Sequence, residues 1–173
     1  MRRLLKLTCA VLLLLTTGCS SKTVSTTTEI TQATGKDAGW VSVKSSVDRF
    51  AIEFPVRPKE LKPGQFVANT EAGLVYKMGF SLVKPRPDPE KALRIVQKNM
   101  VAGLQGQVLK DEEISLGKWP GRAFSVANKR VSHIRLYYAN DHLFTLMVAG
   151  DADHLSEDDT NKFFDSFSLL PKP

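Results

Sequence analysis

Between Gly39 and the C-terminus, short apolar runs alternate with turn residues, and the spacing inside each run assigns it to strand or helix. Trp40 to Val43 reads as a strand, and so does Phe50 to Phe54, where Phe50, Ile52 and Phe54 alternate with Ala51 and Glu53. Pro55 and Pro58 end the second of these. Pro63 and Gly64 mark a turn before a strand over Gln65 to Thr70, and Ala72 and Gly73 mark another before a longer strand over Leu74 to Val83. The period then changes. Asp88 is a natural cap, Pro89 suits the first helical position, and Leu93, Val96, Met100 and Leu104 recur every three or four residues, which predicts a helix over 89–105.

Strands are expected again at Val108 to Leu116, Ala123 to Ala127, Val131 to Ala139 and Leu143 to Gly150, with a turn at Trp119, Pro120 and Gly121. Asn140 and Asp141 tolerate the positive φ of a tight hairpin between the last two. Both faces of Leu143 to Ala149 are apolar, so this strand belongs in the middle of a sheet covered on both sides. Ser156, with Asp159 three residues on, caps a closing helix that carries Phe163, Phe164 and Phe167. Strands, a helix, more strands and a last helix make an α+β domain, with a mainly antiparallel β-sheet flanked by helices.

The N-terminal part has a different grammar. Arg2, Arg3 and Lys6 precede an apolar run from Leu7 to Leu15, and small or polar residues lead to Cys19, the layout of a secretory signal. The run is about half of the roughly 20 residues that cross a bilayer core. Leu15, Thr16, Thr17, Gly18 and Cys19 resemble a bacterial lipobox, with Thr16 where that family prefers leucine. This resemblance implies acyl chains on the Cys19 sulfur and amine, which together anchor a protein stably. It also implies a bacterial cell envelope location, with Ser20 after the cysteine favouring the outer membrane facing the periplasm. Residues 20 to 39 hold nine Ser or Thr and no aromatic, too little apolar area to offset chain ordering. The expected organisation is therefore a signal peptide at 1–18, a lipidated flexible tether at 19–39 and one domain at 40–173.

Composition narrows the chemistry. Without Arg2, Arg3 and Lys6, 21 of the 24 Lys and Arg remain against 18 Asp and Glu, a net charge of about +3 that does not argue for nucleic acid. Cys9 and Cys19 are the two cysteines of the chain, so the domain has no disulfide, thiolate metal site or cysteine nucleophile.

Residues 40 to 170 resemble the PsbP-like superfamily of α/β/α sandwiches, which includes extrinsic photosystem subunits, Ran-binding import factors of the same fold and envelope lipoproteins of the DcrB type. The resemblance is carried by Phe50 to Pro55, by Gly121, Arg122 and Phe124, by Leu143 to Val148, and by Phe163, Phe164 and Phe167. These are packing and turn positions, so they imply the fold and leave function to be argued from a site. Membership would imply a docking or assembly subunit.

No Gly-x-Ser-x-Gly, His-Glu-x-x-His or phosphate loop occurs, so no enzyme activity and no cofactor are expected. His133, His142 and His154 read as structural or exposed. Asp151, Asp153, His154, Glu157, Asp158 and Asp159 are dense in oxygen ligands, but acids in the first turn of a helix explain them without a metal. Charge is uneven: residues 44 to 135 hold 17 basic and 9 acidic side chains, residues 136 to 173 hold 2 and 7. Trp119, Arg122, Lys129, Arg130 and Arg135 are the candidate partner-binding residues, a basic face with an aromatic anchor. The expected function is that of a membrane-tethered envelope lipoprotein that docks or assembles another protein. The alternative is a carrier of a small molecule or lipid, with its pocket between the sheet and the helix at 89–105.

Overall fold

The computed structural model describes residues 28–32, 39–84 and 87–171. The signal peptide, Cys19 and most of the expected tether lie outside them. Eleven strands form two antiparallel sheets among the described residues. The smaller has the order β1 (Thr28–Gln32), β2 (Val41–Ser45), β3 (Phe50–Phe54) and β11 (Ser168–Leu169). The larger runs β4 (Lys59–Lys62), β5 (Gln65–Asn69), β6 (Val75–Leu82), β10 (His142–Gly150), β9 (Val131–Ala139), β8 (Trp119–Ala127) and β7 (Gln107–Leu116).

The two-faced apolar run at Leu143 to Ala149 does occupy the central strand of the seven. Asn140 and Asp141, at φ 50° and 65°, make the tight turn that joins it to β9. On one face of this sheet lie the smaller sheet and helix α2 (Glu157–Asp165). Phe50 and Phe54 from β3, Tyr76 and Met78 from β6, Phe144 and Leu146 from β10 and Phe163 from α2 are all sealed there. On the other face lies helix α1 (Pro89–Leu104), capped as expected by Asp88, whose carboxylate accepts from the Lys91 amide at 2.8 Å. Leu93 packs there with Phe124, Val126, Ile134, Leu136, Tyr138 and Leu143, and a cavity of about 330 Å³ remains between the first turns of α1 and strands β7 and β8, lined by Pro89, Leu93, Glu113, Ile114 and Arg122.

Three expectations differ from the structure. Five residues read as tether, Thr28–Gln32, form edge strand β1. Threonine and isoleucine favour extended backbone, Ile30 packs on the core, and β2 supplies a full ladder. Trp119, Pro120 and Gly121 are not a turn but the start of β8. Gly117, at φ 59°, and Lys118 have already reversed the chain, so Leu116 pairs with Trp119. Gly121 is required where it lies, because a Cβ would stand 2.6 Å from both the Leu136 carbonyl oxygen and the Tyr137 ring. Phe167 falls beyond α2, whose last residue is Asp165, and reaches the core by stacking on Tyr137 at 5.8 Å.

Candidate docking surface

The five residues expected to form one basic face are spread over several surfaces. In a strand, alternate residues face opposite ways. Arg122 is in phase with Phe124 and Val126, so it turns toward α1. There it is 7% exposed, with Nη2 2.6 Å from Asp111 and Nη1 3.7 Å from Glu113. Partial burial pushes the Asp111 carboxyl up, yet hydrogen bonds from Arg122 and Gln97 and the charges of Arg122 and Arg94 outweigh it and hold the group below its ordinary value. Arg135 leaves the opposite face, with Nη1 2.7 Å from Asp165 and its guanidinium 4.8 Å over the Phe164 ring. Arg130, at the β8–β9 hairpin, donates to the Gly73 carbonyl and stands 3.7 Å from Asp151. Lys129 is exposed beside it. Trp119 is half-buried against the core at the far end of β8, with the Lys118 ammonium 5.0 Å over its ring. The period-two phase of Arg122 with Phe124 and of Arg135 with His133 was the signal in the sequence for this separation.

Arg135 does line a groove of about 370 Å³ between α2 and strands β7 to β9, together with Lys110, Glu112, Ser125, His133 and Phe164. Ser125 Oγ lies 2.8 Å from His133 Nδ1. Burial, and after it the charge of Lys110, holds the imidazole below its ordinary value, so it is neutral near pH 7. A hydroxyl beside a neutral imidazole is the pair that nucleophilic catalysis uses, but an activated pair also has a carboxylate on the second ring nitrogen. Here the charged neighbour that acts on the imidazole is the cation Lys110. Ser125 and His133 are direct cross-strand partners in mid-ladder, and their contact ties β8 to β9.

Of the other histidines, His142 bonds through Nδ1 to the Asn140 carbonyl at 2.9 Å and packs on Phe80 and Phe144, and His154 is exposed in a 3-10 turn. Glu157, Asp158 and Asp159 form the first turn of α2, capped by Ser156, and no group of residues able to hold a metal occurs among the described residues.

A surface that the sequence reading did not single out is the uncovered half of the seven-stranded sheet. Helix α1 packs on β8 and β9, and Arg94 and Gln97 reach β7 through Glu113, at 3.0 Å, and Asp111. Strand β10 is covered in part, through Leu143 and Met147, which pack with the α1 cluster, and β4, β5 and β6 contribute no buried residue to that cluster. Along one register row, Lys59, Val67, Lys77, Met147, Ile134 and Phe124 stand side by side. Lys59 is exposed, Val67, Lys77 and Met147 are half-buried, and Ile134 and Phe124, under α1, are 1% and 2% exposed. The next row repeats the pattern with Lys62, Gln65, Gly79 and Thr145. Neither β5, β6 nor β10 contains an acidic residue. Lys59, Lys62 and Lys77 form no ion pair among the described residues. The open area is basic and half apolar.

This layered arrangement recurs in a solved structure, that of cyanobacterial PsbP (CyanoP) from Synechocystis sp. PCC 6803, determined in solution. The two superpose with a TM-score of 0.54 over 80% of this chain and 98% of that one, at 14% identity. The fold is PsbP-like. A point mutant of the protein Mog1 aligns more loosely, with a TM-score of 0.42 over 84% of this chain and 97% of that one, at 11% identity. No family model and no curated protein matches the sequence. At these identities the PsbP-like likeness concerns the fold alone.

Proposed function

We propose that this chain is a non-enzymatic envelope lipoprotein, held at the membrane by acyl chains on Cys19, whose PsbP-like domain docks another protein on the open half of its larger sheet. The observation that supports docking is the burial step along the row from Lys59 to Phe124: half of one continuous sheet face is sealed by α1, and the other half presents valine, methionine, threonine and lysine to the outside. A face of this kind, apolar in part and rimmed by charge, fits a partner surface better than an enclosed ligand. The lipid anchor rests on the likeness of Leu15 to Cys19 to a lipobox.

Native mass spectrometry of the full protein, extracted gently from its own membrane, tests both parts. The expected result is a lipid mass on the chain and a co-purifying protein that is lost from a Val67→Glu variant of unchanged melting temperature. A Cys19→Ser chain that stays in washed membranes would overturn the anchor. A small bound mass with no partner protein would replace docking by carriage.

A further inference from the structure

We infer that the occupant of the open half-face is an amphipathic α-helix of a partner protein, apolar where it meets Val67, Thr145 and Met147 and acidic along the flank that meets Lys59 and Lys77. The inference rests on the docking reading. Its first support is width. Seven strands about 4.8 Å apart make a face roughly 30 Å across, and one helix, about 10 Å in diameter, covers only part of it. α1 takes the β7-to-β9 part. A second helix at the usual 8–10 Å axial separation from α1 would lie over β10 and β6, which is where Met147 and Lys77 stand.

The shape of the site excludes other occupants. β5, β6 and β10 are interior strands with both ladders filled, so a partner strand cannot add there. The free edge of the sheet at β4 is short, bears Lys59 and Lys62 and is broken by a bulge between Glu60 and Lys62, the features that discourage edge pairing. A flat lipid surface would rest on the outer side of α1, and the sheet beside that helix would stay out of reach, because α1 rises above it by about its own diameter. A helix fits the recess.

Charge sets the chemistry of the partner. Lys59, Lys62 and Lys77 face the recess without an ion-pair partner among the described residues, while the one carboxylate of β4, Glu60, is turned to the Gly64 amide at 3.1 Å. A partner helix with Asp or Glu on one flank would supply the missing counter-charge, and its apolar stripe would cover Val67 and Met147. Complementary charge of this sort sets orientation and rate of encounter as well as affinity.

The test uses the full chain in its own membrane, with a photo-cross-linking amino acid at position 77 and, in a second strain, at position 67. The expected adduct is a protein whose cross-linked peptide has apolar residues every three or four positions with Asp or Glu between them. Lys59→Glu should reduce the adduct at position 67 by about tenfold or more. In solution, a synthetic helix with a leucine stripe and glutamate flanks should shift the NMR signals of Val67, Lys77, Thr145 and Met147, and the same helix with lysine flanks should not. Adducts that map to an extended or non-acidic segment would overturn the helix and leave docking in place. Adducts to lipid alone, or none at either position, would overturn docking as well.

Discussion

The two faces of the seven-stranded sheet are built from the same strands and serve opposite ends. On the side of the smaller sheet, Phe66, Tyr76, Met78, Phe144 and Leu146 are almost fully buried, and rings interlock across layers, with Phe163 edge-on to Phe54 and to Tyr76 at 5.3 Å each. On the other side, the chain neighbours Gln65, Val67, Val75, Lys77, Thr145 and Met147 are only half-buried, while Gly79 and Leu143 are buried. Alternation along a strand thus lets one segment bury a core and still offer a surface. At β9 the contrast reverses: Ile134 and Leu136 are buried under α1, and His133 and Arg135 on the opposite face are half-buried beside the groove.

The largest expected effect lies on the sealed face. Phe163→Ala should cost about 3–5 kcal/mol of unfolding free energy, the range for a buried phenylalanine removed from a tight core. A loss under about 1 kcal/mol in denaturant titrations would show that the aromatic layer does not hold the fold. Next comes the half of the second face that α1 covers. Asp111→Asn should cost about 2 kcal/mol, since it weakens the partner of a buried guanidinium that Glu113 approaches only at 3.7 Å. Because the folded-state Asp111 titrates below its ordinary value, its contribution is present above the carboxylate range and lost as pH falls through the folded value. The variant should therefore have a shallower acid limb in thermal melts.

A smaller effect is expected in the groove. His133 titrates below its ordinary 6.5, mainly through burial, so the unfolded chain takes up a proton before the folded one does. Stability should be full above that value and decline as pH falls below it. His133→Gln should remove this decline between about pH 7 and about pH 5. An unchanged slope in the variant would assign the decline to another group. The smallest effect belongs to the open half: Lys77→Glu should shift stability by no more than about 0.5 kcal/mol. A cost of several times that would mean that Lys77 is structural and that the two faces are not divided as described.

Much of this was legible from periodicity. The hydrophobic stripe and cap residues placed α1, Asn140 and Asp141 placed the tight hairpin, and the two-sided apolar run of β10 placed it at the centre of a covered sheet. These features depend on local spacing and on burial that one strand reports by itself. What was missed depends on neighbours. β1 has a single aliphatic residue, Ile30, and β4 reads Lys-Glu-Leu-Lys; each is a strand because an adjacent strand offers its ladder. The open face follows from where α1 lands across the sheet, a non-local fact, although the lysines and absent acids that give it its charge are plain in β4 to β6. The dispersal of the arginines was available in the strand phase, and was hidden by treating nearness in sequence as nearness in space.

Strand β1 has a mechanical consequence. It is an edge strand bonded to β2 alone, so any tension arriving from upstream of Thr28 is carried by a five-residue ladder before it reaches the aromatic core. That ladder is a clasp that can give way first. Peeling it from β2 would release Thr28–Gln32, adding at most roughly 17 Å of extended chain while the two layers behind Val41 stay folded.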